Sequence, residues 1–271
     1  MFTDWQLFRR RALNTSLVAL VIVLVVWNIP GLDRVLYPFR LFVTFIHEAG
    51  HGLAAILTGG EFLYFDVLPD GAGLATTRGG SRAAILPAGY LSAAFFGAAL
   101  FYVTNRFPYP RLIALAVGAG VGTLSLLYGQ TSQIAYTVGG AFALALVLVG
   151  LLASRYQVVL LLNLLAIMTA LNAVLDLLFL TRNITARAAD GRILNDAAAF
   201  ALEIMPETSP ALWAWLWAGA SVLLLGIAVY RSLLRPLLND RLLARRHPHA
   251  PPAELLYHDE DPYITEREQD Y

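Results

Sequence analysis

His47, Glu48 and His51 stand within "TFIHEAGHGLAAILTGG", an otherwise apolar stretch at residues 44–60. Ionisable side chains are costly in such surroundings and point to a task. The pattern His47-Glu48-Ala49-Gly50-His51 fits H-E-x-x-H. On a helix, positions four apart share a face, so both imidazoles reach one ion. Glu48 then sits beside the ion without ligating it. A catalytic zinc takes three protein ligands and keeps an open position for a water, whose pKa falls to about 7 there. In that chemistry Glu48 accepts the water's proton and passes it to the leaving amine. The alternative is an accidental pattern on a helix whose histidines are merely hydrogen-bonded, and the apolar setting weighs against it.

A third ligand must come from elsewhere in the chain. Asp176, in "IMTALNAVLDLLFL", is the expected one. Thr169, Asn172 and Asp176 follow at helical offsets and form one stripe. A lone aspartate in lipid should face the bundle interior and pair with something positive, and a metal ion is such a partner. A contact with an arginine or a backbone amide near Arg182 is the competing account. Asp190 and Asp196 are rivals, but their segment is polar, where solvated acids need no special explanation. Asn172, one turn before Asp176, orients that aspartate or binds substrate backbone. Asn163 points to another face.

The elements that must position these groups follow from composition. Of 271 residues, 58% are hydrophobic and 14% charged, where a soluble domain is nearer a quarter charged. The apolar residues are blocked into runs, which is a membrane signature. Formal net charge is zero, and no basic patch interleaved with aromatics suggests a nucleic-acid partner. There is no cysteine, which excludes disulfides, thiolate metal sites and cysteine catalysis. Roughly seven runs reach the length of a crossing, about 20 residues. They cover about 12–29, 36–58, 82–104, 111–128, 134–153, 156–180 and 211–230. The first follows Arg9-Arg10-Arg11 and lacks a small-x-small cleavage pattern, so it reads as a retained signal anchor. Between the second and third runs, "GEFLYFDVLPDGAGLATTRGGS" at 60–81 alternates around Pro69-Asp70-Gly71 and reads as a β-hairpin. Gly89, Ala93 and Gly97, and then Gly118 and Gly122, recur at four-residue spacing, as small residues do where membrane helices pack closely.

The expected fold is an all-α, polytopic membrane bundle of about six to seven spans with a small hairpin after the HExxH helix. Its expected divisions are a basic stretch and first span at 1–35, a core at 36–205, a last span at 206–235 and a polar, mobile tail at 236–271. The basic N-terminus favours the cytosol. Seven spans then place the C-terminus outside, against Arg231, Arg235, Arg241, Arg245 and Arg246. A re-entrant or miscounted span within 111–153 would reconcile the two.

The motif at 47–60, the Pro/Asp/Gly hairpin, "PAGYLSA" at 87–93, Asp176 and "LNDAAAFALEI" at 194–204 together resemble site-2-protease-like intramembrane metalloproteases, peptidase family M50, in its M50B-type branch. The resemblance covers about residues 36–205. It implies a multi-pass zinc endopeptidase of the cell membrane that cuts membrane-embedded protein substrates. His47 and His51 would be ligands of Zn2+, Glu48 the base and Asp176 the third ligand. The approach to that aspartate is reduced to Asn172-x-x-x-Asp176 and followed by Leu177, and no PDZ-like domain is inserted. A helix shields its scissile carbonyls, so a membrane substrate must be unwound. The hairpin edge from Glu61 to Thr77 would hold it by strand addition, unless the segment is only a packed loop. Two other readings compete. One is a transporter or metal-binding protein using the same His/Asp cluster, which has no need of Glu48 as a proton shuttle. The other is a non-cleaving member of the protease family, against which the intact HExxH argues.

Overall fold

Eight α-helices and one β-hairpin make up the fold in a computed structural model that describes residues 2–29, 31–182 and 195–238. Helix α1 (Phe2–Asn28) buries Ala12, Thr15, Ser16, Ala19 and Val23, one stripe at helical spacing, against the bundle. Helix α2 (Asp33–Leu57) carries the HExxH motif. Strands β1 (Glu61–Val67) and β2 (Gly73–Arg78) follow, and then the long helices α3 (Arg82–Arg106), α4 (Pro110–Tyr128), α5 (Gln133–Leu152) and α6 (Arg155–Arg182). A short α7 (Asp196–Glu203) precedes α8 (Pro210–Val229), which runs on through a π-helical turn at Tyr230–Leu234.

Five helices among the described residues, α3 to α6 and α8, are long and apolar enough to cross a membrane, and Ala12–Asn28 of α1 is a shorter apolar segment. The chain is a membrane protein. Helix α2 has the length, but the polar HExxH residues lower its hydropathy. Residues 111–153 form two separate helices, α4 and α5, joined by a short polar loop. Burial separates centre from periphery. In their apolar windows α6 is 61% buried and α3 50%, against 22% for α4 and for α5. The outer helices turn Leu112, Leu127, Leu144, Leu152 and Leu223 outward, as a lipid-facing surface requires.

Small residues decide how closely the central helices approach. A Cβ on Gly97 would lie 2.7 Å from Ala166 O and from Ala170 N, so α3 and α6 meet backbone to backbone there. Gly118 and Gly122 face Ala143 of α5 in looser contacts of 3.1 and 3.3 Å. Polar groups lock the same layers. Asn105 Nδ2 donates to Asn163 Oδ1 (2.7 Å) and Ser16 Oγ to Asn105 Oδ1 (3.0 Å), tying α1, α3 and α6 through fully buried partners. Asn163 is thus structural, on another face of α6 from Asn172.

The hairpin is antiparallel, with Glu61 opposite Arg78, Phe65 opposite Ala75 and Val67 opposite Gly73. Its buried Phe62 and Phe65 pack on Tyr128 and Phe45. The turn closes through Gly71, whose φ of +91° suits glycine. Tyr37 donates to Pro69 O (2.9 Å) and Thr44 to Gly71 O (2.7 Å), so the turn is fastened along α2 instead of projecting away from it. Gly97→Leu should lower stability by about 1–3 kcal/mol through overpacking. The melting temperature in detergent should fall while the HExxH region keeps its geometry, and an unchanged melt would contradict the close α3–α6 contact.

Candidate metal centre

His47 and His51 project from one face of α2, as their spacing requires. Their Nε2 atoms lie 3.0 Å apart, and the rings meet nearly at right angles. The carboxylate that joins them is Asp196. Its Oδ2 lies 3.1 Å from His47 Nε2 and 3.4 Å from His51 Nε2. These three are the one group of metal-ligating side chains close enough to share an ion among the described residues.

The donor set fits a metal. His51 Nδ1 donates to Ile85 O at 2.7 Å, since a carbonyl only accepts, and this leaves His51 Nε2 as a lone pair. That lone pair faces His47 Nε2 and a carboxylate oxygen. A single proton serves one of the three contacts, whereas a cation serves all of them. A tetrahedral ion with ligands at about 2.0–2.1 Å sets neighbouring ligand atoms roughly 3.3–3.4 Å apart, close to the separations found.

Helix α3 completes the cradle. A Cβ on Gly89 would stand 2.3 Å from His47 Nε2 and 2.5 Å from His51 Nε2, so only glycine leaves the ligand nitrogens their space. Pro87, in the same turn, interrupts the backbone ladder near the Ile85 carbonyl that His51 uses. The small-residue stripe of α3 therefore has two uses, helix packing at Gly97 and room for the imidazoles at Gly89.

Asp196 arrives on a helix of eight residues. Asn195 caps it by accepting from Ala198 N at 2.9 Å, which fixes the first turn where Asp196 stands. Ala197 to Ala201 are buried without a break, and Phe200 packs on Trp213 (4.4 Å) and Trp217 (5.6 Å) of α8. At its other end Glu203 takes a two-pronged ion pair from Arg82 of α3, with contacts from 2.7 to 3.0 Å. That pair is half-exposed and contributes about 0–1 kcal/mol, so apolar packing is the stronger anchor.

The structure brings Asp196, and not the expected Asp176, to the two histidines. Asp176 does not join the cluster: it lines the same cavity, is exposed into it, and lies within electrostatic reach of His47 and Arg40. The cost argument for Asp176 assumed lipid, but a polar cavity of 780 Å³ surrounds it instead. Asp196, expected to be a solvated acid, is the one beside the imidazoles. Asp190 lies outside the described residues. The missed signal was in "NDAAAFALE", where a capped start is followed by an unbroken small-residue run that marks a buried helix. Asn172 is buried on the cavity wall, and its amide has no hydrogen-bond partner among the described residues.

Glu48 is 5% exposed, lines the cavity that the cluster faces, and meets the hairpin there. A Cβ on Gly73 would lie 2.3 Å from Glu48 Oε1, and the Ala75 amide donates to the carboxylate. β2 thus holds Glu48 against the cavity that the cluster also faces. Asp196→Asn should weaken zinc binding by more than the roughly 10–100-fold cost of disturbing a ligand's hydrogen-bond partner, whereas Asp176→Asn should change it only a few-fold. Equal losses, read by titration with a competing chelator, would return Asp176 to the ligand set. Gly89→Ala should lose zinc with both histidines intact, because the new methyl takes the nitrogens' space. Full zinc content in that variant would contradict the cradle.

No curated protein and no solved structure matches the chain. A family model described as Peptidase M50B-like matches residues 16–228, from within α1 to the end of α8. The chain, with five helices fit to cross a membrane and a compatible His/His/Asp cluster, belongs to the Peptidase M50B-like family of membrane metalloproteases.

Proposed function

We propose that the protein is an intramembrane zinc endopeptidase of the cell membrane that hydrolyses peptide bonds of membrane-embedded protein substrates. The observation that carries this reading is the buried Glu48 beside three convergent donors, all opening on one cavity. His47, His51 and Asp196 would hold the ion. When bound, zinc supplies a water of lowered pKa and polarises the scissile carbonyl. Glu48 takes the proton of the attacking water and delivers it to the leaving amine, held for both transfers by Gly73 and Ala75 of β2. Ion transport by the same cluster would not need such a base.

The wall of the cavity supports a peptide as the substrate. Gly73, Leu74, Ala75 and Thr77 of β2 line it, and β1 occupies only the other edge of that strand. An unwound substrate segment adds along the open edge, which answers the shielding of scissile carbonyls in a membrane helix. The Asn172 amide, buried and without a hydrogen-bond partner among the described residues, offers a donor and an acceptor to the substrate backbone.

Glu48→Gln tests the reading directly. The variant should keep the fold and its zinc and lose hydrolysis by several orders of magnitude, since an amide cannot accept the proton. Undiminished cleavage of membrane proteins in detergent or vesicles would remove the mechanism, and zinc flux without cleavage would favour transport.

A further inference from the structure

Tyr90 lines the cavity, and this scheme leaves it without a task. It follows Gly89 on α3, so it flanks the place where the two Nε2 atoms converge. Its ring stands edge-on to His47, with centroids 4.5 Å apart at 87°, and lies over Trp217 at 6.4 Å. Those contacts fix the apolar part of the side chain and leave the hydroxyl unused. A phenol so enclosed normally finds a partner. Among the described residues the Tyr90 hydroxyl has none, although the side chain lines the cavity within electrostatic reach of Asp196, Asp176 and Glu48. An oriented donor beside the ligand cluster is thus held open for something that enters.

Peptide hydrolysis brings such a group. As water adds to the scissile carbon, negative charge gathers on the carbonyl oxygen, and a donor already in place lowers the barrier without reorganising. Two other donors on the wall are engaged: Arg82 holds Glu203, and Thr44 holds the hairpin turn through Gly71 O. Resting on the hydrolytic reading above, we infer that Tyr90 is a further catalytic residue, whose hydroxyl donates a hydrogen bond to the scissile carbonyl oxygen as it becomes negative. The proton stays on the phenol throughout, and when the carbon–nitrogen bond breaks the carbonyl re-forms and the hydrogen bond weakens.

Tyr90→Phe separates this role from packing, because phenylalanine keeps both ring contacts and removes only the hydroxyl. The experiment measures kcat and KM for a membrane-segment substrate in micelles, zinc content, and the affinity of a phosphonamidate peptide that mimics the charged, tetrahedral carbon. In the variant kcat should fall about 100- to 1000-fold, with KM within about threefold and zinc content unchanged. The phosphonamidate should lose affinity by a comparable factor while an uncleaved peptide of the same sequence does not. Turnover within about threefold of wild type, or unaltered phosphonamidate affinity, would overturn the assignment, and lost zinc would make Tyr90 a support for His47 instead. Wild-type protein that holds zinc yet cleaves no membrane segment would bring down the hydrolytic reading itself, an outcome distinct from all of these.

Discussion

Two imidazole nitrogens and a carboxylate oxygen within 3.4 Å of one another demand a shared positive charge. The Ile85 carbonyl fixes the proton of His51 on the far nitrogen, so His51 Nε2 joins the carboxylate oxygen as a lone-pair donor. Away from bulk water that demand is hard to meet by hydration, and it organises the surrounding fold. Three separate stretches of chain must meet at one point: α2 for the imidazoles, α7 for the carboxylate, and α3 to leave room for them.

The meeting point is reached by different means from each side. Between α2 and α3 the device is the absence of side chains, since Gly50 faces Ala88 O and Ser92 while Gly89 faces the imidazoles. From α7 it is apolar burial, with an alanine run and Phe200 seated on the α8 tryptophans. The hairpin, tied to α2 at Tyr37 and Thr44, closes on Glu48 from a third direction. The result is a polar cavity inside an apolar bundle, lined by Glu48, Tyr90 and the His/His/Asp cluster.

Much of this was legible in the sequence, for identifiable reasons. The long apolar runs specify helices because a chain in lipid must satisfy its backbone internally. Pro69-Asp70-Gly71 marks the hairpin turn, and the four-residue histidine spacing needs no tertiary information. Asp196 was passed over in the sequence because burial cost was assigned from local composition alone. Asp176 lies in an apolar helix but opens onto the cavity, whereas Asp196 lies in a polar segment but is carried by a buried helix. Tertiary placement reversed both environments. Gly89 was read as packing because spacing alone does not tell a neighbouring backbone from a neighbouring imidazole. The 3.6-residue period finds faces; what stands opposite a face is a property of the assembled fold.

X-ray absorption at the zinc edge of the purified protein in detergent tests the metal centre most directly. The structure predicts stoichiometric zinc with a light-atom shell at about 2.0–2.2 Å and the outer-shell scattering of two imidazoles. Substoichiometric zinc after metal loading, or a shell showing one imidazole or none, would contradict the centre built from His47, His51 and Asp196.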